Sequence, residues 1–255
     1  MARLERLRSY PVKGLDGIDV DTAAVRAGGT LAGDREFALL DADGDPLNGK
    51  RTAAVHELTA AFDPESKRLT VETNSGEIVR FALPADRGRA SAWFSDFFGG
   101  EFTLERNDEQ GFVDRPGMGP SVVSTATLEA VASWFDGLTV ESVRRRLRAN
   151  VEVGGVPAFW EDRFVGADAP DFAVGDVRFE GITPCGRCVV PSRDPDTGEA
   201  LEGFREEFIR KRRGSFPEFA DPEAFDHYFA VMILARVPAA SDRPTFDVGD
   251  RVELR

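Results

Sequence analysis

The chain has 255 residues, 42% of them hydrophobic and 30% charged, with 45 acidic side chains against 32 basic ones and a formal net charge of −13. This length supports one large or two medium cores, and the composition is that of a folded protein rather than a disordered one. An acidic surface repels phosphate backbones, so nucleic acid is not expected as a structural partner. The longest apolar run, Phe229 to Val237, falls short of the ~20 residues a membrane span needs, and the charged start Met1 to Arg8 lacks an apolar signal region. A cytoplasmic location without membrane contact is the expectation. Only four basic residues are lysines (Lys13, Lys50, Lys67 and Lys211). That bias fits a salt-adapted, halophile-like protein and equally an arginine-favouring genome.

In chain order, the pattern is one of short β-segments separated by turns. Leu4 to Val12 alternates loosely. Phe37 to Asp41 and Pro46-Leu47 form a hairpin candidate, because Gly44 within Asp43-Gly44-Asp45 can take the positive φ of a tight turn. Asp41, Asp43 and Asp45 imitate the opening of a calcium loop, but the later bidentate glutamate is missing, so the turn is preferred. Leu69 to Thr73 and Glu77 to Ala82 make a second hairpin across Asn74-Ser75-Gly76. Helices are expected at Ala90 to Phe98, from Ser124 or Thr125 to Phe135 before Gly137, and at Leu201 to Arg213. The aromatic stripe of the first (Trp93, Phe94, Phe97, Phe98) reads as core packing. Ala149 to Val153, Phe172 to Phe179, His227 to Val237 and Phe246 to Leu254 complete the strands. The expected fold class is mostly β with a few helices, built on β-barrel modules. No Gly-rich nucleotide loop is present.

Chemistry concentrates in Gly181 to Glu199, where Cys185 and Cys188 stand at CxxC spacing. They are the chain's two cysteines, and His56 and His227 are its two histidines. Pro191 and Asp194-Pro195 break the helix that a thioredoxin-like dithiol would need. A zinc half-site would have to find partners among distant histidines. A single soft thiolate on a loop, with Arg187 beside it, suits a high-valent transition metal. Two small buried hydrophobes are the plain alternative. The residues alone leave that choice open.

Pro184-Cys185-Gly186-Arg187-Cys188 followed by Asp194-Pro195-Asp196-Thr197-Gly198 resembles the signature of MOSC domains, named for the C-terminal part of molybdenum cofactor sulfurase. Other segments match the same group in order: Tyr10-Pro11-Val12-Lys13-Gly14, then Gly33-Asp34-Arg35. Arg146-Leu147-Arg148-Ala149-Asn150 and Trp160-Glu161-Asp162 follow, and His227-Tyr228-Phe229 with Val248-Gly249-Asp250 close the series. The resemblance spans nearly the whole chain and is greatest to the group that includes the mitochondrial amidoxime-reducing component and its bacterial relatives.

That resemblance implies an N-terminal β-barrel-like domain over residues 1–105 and a MOSC β-barrel over 106–255, with the first strand and Lys13 reaching across to a shared pocket. It implies molybdenum cofactor (molybdopterin) as the bound group and Cys188 as both metal ligand and catalytic residue. Lys13, Arg35 and Arg148 would face the pterin phosphate, and Gly14, Asn150, Gly186, Arg187 and Tyr228 would complete the cofactor pocket. The implied activity is two-electron reduction of small N-hydroxylated compounds, with electrons from a separate donor protein because no ferredoxin-like domain follows. The rival is a sulfur- or cofactor-carrier protein using a Cys188 persulfide or thiolate, although no desulfurase domain accompanies it. Gly14 and Gly186 replace serines found in the nearest members of the group, so backbone N–H groups must serve where hydroxyls would.

Overall fold

The computed structural model describes residues 1–238 and 243–255. Its strands and helices run β1 (Arg3–Ser9), β2 (Ile18–Val20), β3 (Thr22–Ala24), β4 (Phe37–Leu40), β5 (Leu58–Asp63), β6 (Arg68–Thr73), β7 (Ile78–Ala82), α1 (Arg87–Phe98) and β8 (Thr103–Arg106). There follow β9 (Ser121–Ser124), α2 (Thr125–Ala132), α3 (Val140–Leu147), β10 (Val151–Gly154), β11 (Phe172–Val174), β12 (Val177–Gly186), α4 (Phe204–Gly214), β13 (Ala230–Arg236), β14 (Thr245–Asp247) and β15 (Val252–Leu254). Strand outweighs helix, 31% to 22%, which is the mostly β class expected.

An eight-stranded sheet in the order β15-β11-β12-β13-β9-β10-β1-β2 forms the larger body. Its ladder is open, yet Arg3 bridges Arg251, and Leu4 donates its amide to the Asp250 carbonyl and accepts from the Gly249 amide, which draws the chain entering the last strand back against β1. The sheet thus curls around a core of Leu4, Leu7, Val122, Phe164, Phe172, Phe179 and Ile233. The smaller body pairs β4 with β8 and stacks the β5-β6-β7 sheet under α1. There Trp93 stacks on Phe97 and Phe94 on Phe98, so the aromatic stripe is core, as expected.

Local chemistry explains the boundaries. The Asp41 carboxylate accepts from the Asp43 and Asp45 amides, and Arg51 pairs with it, so the aspartate series is a turn. Gly99 ends α1 in the left-handed conformation. Ser124 caps α2 by accepting from the Thr127 amide, and that helix ends at Ala132, short of the expected Phe135. Helix α3 was not expected from the sequence. Thr139 caps it, and three arginines in its last turn (Arg144, Arg145, Arg146) suit the negative end of the dipole. Its polar, arginine-rich face hides the few apolar residues (Val143, Leu147) that bind it to the α2 side of the core. His227 to Phe229 precede β13 rather than opening it. Among the described residues, no helix is long and apolar enough to cross a membrane.

Candidate functional site: a basic cavity walled by both halves of the chain

Strand β1 belongs to the larger sheet, between β10 and β2. The chain leaving it, Tyr10 to Gly14, therefore runs directly from that sheet toward the smaller body. Opposite, β12 ends at Gly186 and the chain enters the Cys188 loop. Between these two exits lies a cavity of about 380 Å³, within the usual range of small-ligand sites. Nine lysine and arginine residues line it against three aspartates. In a protein of net charge −13 this reversal of sign is a local construction, and it fits an anionic ligand.

Lys13, Gly14, Arg35, Arg148, Asn150, Gly186, Arg187 and Cys188 all line this cavity. Tyr228 does not: its ring packs edge-on against Phe216, under the Arg213 guanidinium. Arg35 and Arg148 both adopt positive φ, 49° and 58°, which is uncommon outside glycine. Arg148 does so as the C-cap of α3, which turns the chain sharply into Ala149-Asn150. Tyr10 is the shared platform, with the Arg148 guanidinium 4.1 Å and the Arg35 guanidinium 5.0 Å from its ring centroid. Burial pushes the Tyr10 phenol up from its ordinary value, so the ring stays neutral. Burial likewise works downward on Arg148, whose Nη2 donates to the Leu15 carbonyl at 2.6 Å. Arg35 pairs with buried Asp34.

Lys13 is nearly enclosed and donates to the Phe112 carbonyl at 2.7 Å and to Asp114 at 2.5 Å. Burial lowers its pKa, against the opposing pull of Asp114. Burial also works upward on the Asp114 carboxyl, but Lys13 and Lys50 outweigh it and hold that group at about 2. Asn150 is occupied as a tie: its amide nitrogen donates to the Arg8 carbonyl, and its oxygen accepts from the Ser121 amide and hydroxyl. It thereby sets the cavity wall where β1, β9 and β10 meet.

Both cysteines line the cavity and both are half-buried, but their neighbours differ. Cys185 packs against the aromatic core beside Phe229 and Met232, and Arg187 donates to its sulfur at 3.3 Å. Arg187 therefore serves Cys185, where the sequence suggested it would flank Cys188. Cys188 lies past the strand end, half-buried, and both thiols are free. The loop that follows is clamped from α3: buried Arg146 donates to the carbonyls of Pro191 and Arg193 and pairs with Asp194. Asp194 in turn accepts from the Asp196 and Thr197 amides, which explains the Asp-Pro-Asp-Thr-Gly run as a folded turn.

Sequence reasoning missed several cavity residues, among them Lys50, His56, Arg115, Arg145 and Arg193. His56 comes from the smaller body, and burial lowers its pKa while the Pro195 carbonyl works the other way. Histidine is scarce in this chain, and that scarcity was the one available signal. Buried Nε atoms of Arg187 and Arg193 and the Nε2 of His56 have no partner within the described residues. Such orphaned polar atoms fit a site completed by a ligand.

A basic cavity between two β-rich bodies, with a free thiol in its wall, defines a protein that binds an anionic cofactor or substrate beside a soft ligand atom. The model of the MOSC N-terminal beta barrel domain matches residues 1–141, and that of the MOSC domain matches residues 119–238. The chain belongs to the MOSC family. Among curated proteins it is similar to mitochondrial amidoxime reducing component 2 of Bos taurus, at 25% identity over 77% of this chain and 70% of that protein.

Proposed function

We propose that this chain holds molybdenum cofactor in the basic cavity and reduces N-hydroxylated compounds there. The observation that carries this reading is the position of Cys188 in the wall of a cavity lined by nine basic residues. The residues fit the group. Lys13, Arg35 and Arg148 would hold the pterin phosphate through charge-assisted bonds, and Gly14 and Gly186 offer backbone amides at close approach. Cys188 would hold the metal as a soft thiolate. Among the described residues, no three His, Cys, Asp or Glu side chains gather into a metal cage, so a metal here would take its other ligands from the pterin. When bound, the cofactor supplies a two-electron couple.

The protein's own part is positioning and electrostatics. Tyr10 fixes the two arginines, Asn150 fixes the strand junction, and Arg146 fixes the Cys188 loop. In the overall reaction the N–O bond breaks, two electrons come from a separate donor protein and two protons from solvent, one proton going to nitrogen and the other to the hydroxyl that leaves as water. The test pairs metal content with turnover in protein purified from a molybdenum-replete host and given a reduced viologen dye and benzamidoxime. Cys188→Ser is expected to lose both metal and turnover, and Cys185→Ser to keep a substantial part of each. Equal loss in the two variants would point to a dithiol site. Full occupancy without turnover, with cyanide-releasable sulfur on Cys188, would replace the reductase by a sulfur carrier.

A further inference from the structure

Cys188 and Arg187 line a second, smaller cavity of about 250 Å³ on the other side of the loop, and Val189, Ser192, Arg205, His227 and Phe229 complete it. The two cavities therefore meet at the proposed metal ligand. Gly186, between the cysteines, marks the passage. A Cβ built there would lie 3.2 Å from Cε1 and 3.3 Å from Nε2 of His227, and 4.0 Å from Nη2 of Arg115. Two donor side chains from distant parts of the sequence thus reach the same point beside Cys188. Arg205, from α4, adds a third, its guanidinium 5.5 Å from the centroid of the Phe229 ring.

Arg115, Arg205 and His227 are all exposed, and among the described residues none of their side chains is engaged in a hydrogen bond or an ion pair. This is unlike the deeper cavity, where Lys13, Arg35 and Arg146 each hold an aspartate. In a chain with 45 acidic residues, two donors of the small cavity, Arg205 and His227, and the Arg115 donor that reaches its edge from the basic cavity have been left without a carboxylate. A guanidinium offers a planar fork that matches a carboxylate, and an imidazole donates an N–H whether neutral or charged. Phe229 and the exposed Val189 supply an apolar wall for the body of the molecule.

We propose that this second cavity seats the substrate and selects molecules carrying an anionic substituent, in the simplest case a carboxylate, held by Arg205 and His227, with Arg115 reaching in from the basic cavity at Gly186. The anion seat stands on the geometry alone; the N-hydroxyl part of the substrate rests on the reductase reading above.

The chain's two histidines make the test direct, because ring signals of His227 report on the second cavity and those of His56 on the first. Full-length protein is titrated with benzoate and followed by NMR of the histidine rings, alone and after saturation with inorganic pyrophosphate to fill the basic cavity. Benzoate is expected to move the His227 signal saturably in both conditions. Arg205→Gln is expected to weaken benzoate on the order of tenfold, the loss of one charge-assisted bond, and His227→Ala to weaken it less. Movement of His56 instead of His227, abolition of the response by pyrophosphate, or unchanged affinity in both variants would each overturn the seat. With loaded protein, the ratio of kcat/KM for 4-carboxybenzamidoxime over benzamidoxime should fall roughly tenfold in Arg205→Gln. If neither compound is reduced, the reductase reading fails, and the benzoate titration still decides the anion seat.

Discussion

Two groups of buried arginines in this protein are built to opposite plans. Arg212 of α4 is fully enclosed, paired with Asp162, and ringed by Phe159, Phe216 and Phe225 at 4.3, 5.2 and 5.6 Å from their centroids. Its Nε donates to the Ala230 carbonyl, so helix, strand and the Trp160-Glu161-Asp162 turn are tied at one point. Arg35 and Arg148 also lie against an aromatic ring, yet they face a cavity and take backbone conformations that cost energy to hold. Arg212 meets most of its needs inside the protein, with Nη1 alone left without a partner among the described residues. Arg35 and Arg148 line a cavity together with other basic side chains, two of which, Arg187 and Arg193, keep unpartnered Nε atoms, and it is this gathering around a cavity, rather than burial, charge or a single unpaired atom, that marks a ligand site.

The largest expected effect breaks the closed group. Arg212→Ala leaves Asp162 buried without its counter-ion and is expected to cost roughly 3–5 kcal/mol in urea unfolding, or to prevent folding. A variant that unfolds normally would show the enclosed pair to be dispensable and would blur the contrast.

The open group is expected to respond the other way. Arg148→Ala should leave the urea midpoint of the cofactor-free protein nearly unchanged while weakening retention of the pterin by ~1.5–3 kcal/mol of lost charge-assisted bonding; Arg35→Ala should weaken retention as much, and lower the midpoint too because it strips buried Asp34 of its counter-ion. Fluorescence of the released, oxidised pterin measures retention, and urea unfolding measures the fold. If the variants melt early and keep pterin normally, these arginines are structural and the comparison collapses.

What was legible in the sequence divides along the same line. Alternation, turn glycines and the aromatic stripe of α1 are local patterns, and the structure follows them. Cys188, Lys13, Arg35 and Arg148 came from motif resemblance, and the fold brings them to one cavity. Helix α3 was hidden because its apolar residues are few and its arginines read as surface charge, although Arg146 is nearly enclosed and clamps the Cys188 loop. His56, Lys50 and Arg115 reach the cavity only through long-range packing, which no local pattern encodes. Tyr228 was misplaced for a related reason: it adjoins Phe229 in sequence, yet its ring turns away to Phe216.

The smallest expected effect sharpens the comparison at its two glycines. The family resemblance implies serine at both positions, and the sequence alone treats them alike. The structure separates them. Gly14 has φ +90°, and a Cβ there would lie 3.1 Å from the Leu47 carbonyl oxygen and 3.4 Å from the Asn48 Cα, backbone atoms that yield little. Gly186 lies outside the left-handed region, and its nearest neighbour would be the ring of exposed His227, which can swing aside. Gly14→Ser is therefore expected to destabilise by about 1–2 kcal/mol through backbone strain, and Gly186→Ser to stay within about 0.5 kcal/mol of the parent, as other surface changes do. Urea midpoints of the two variants, measured side by side, check this. A neutral Gly14→Ser would mean that the Lys13 turn relaxes easily to a serine-compatible conformation. Its left-handed geometry would then be no constraint on how the cavity is built, and the missing hydroxyl would need another explanation.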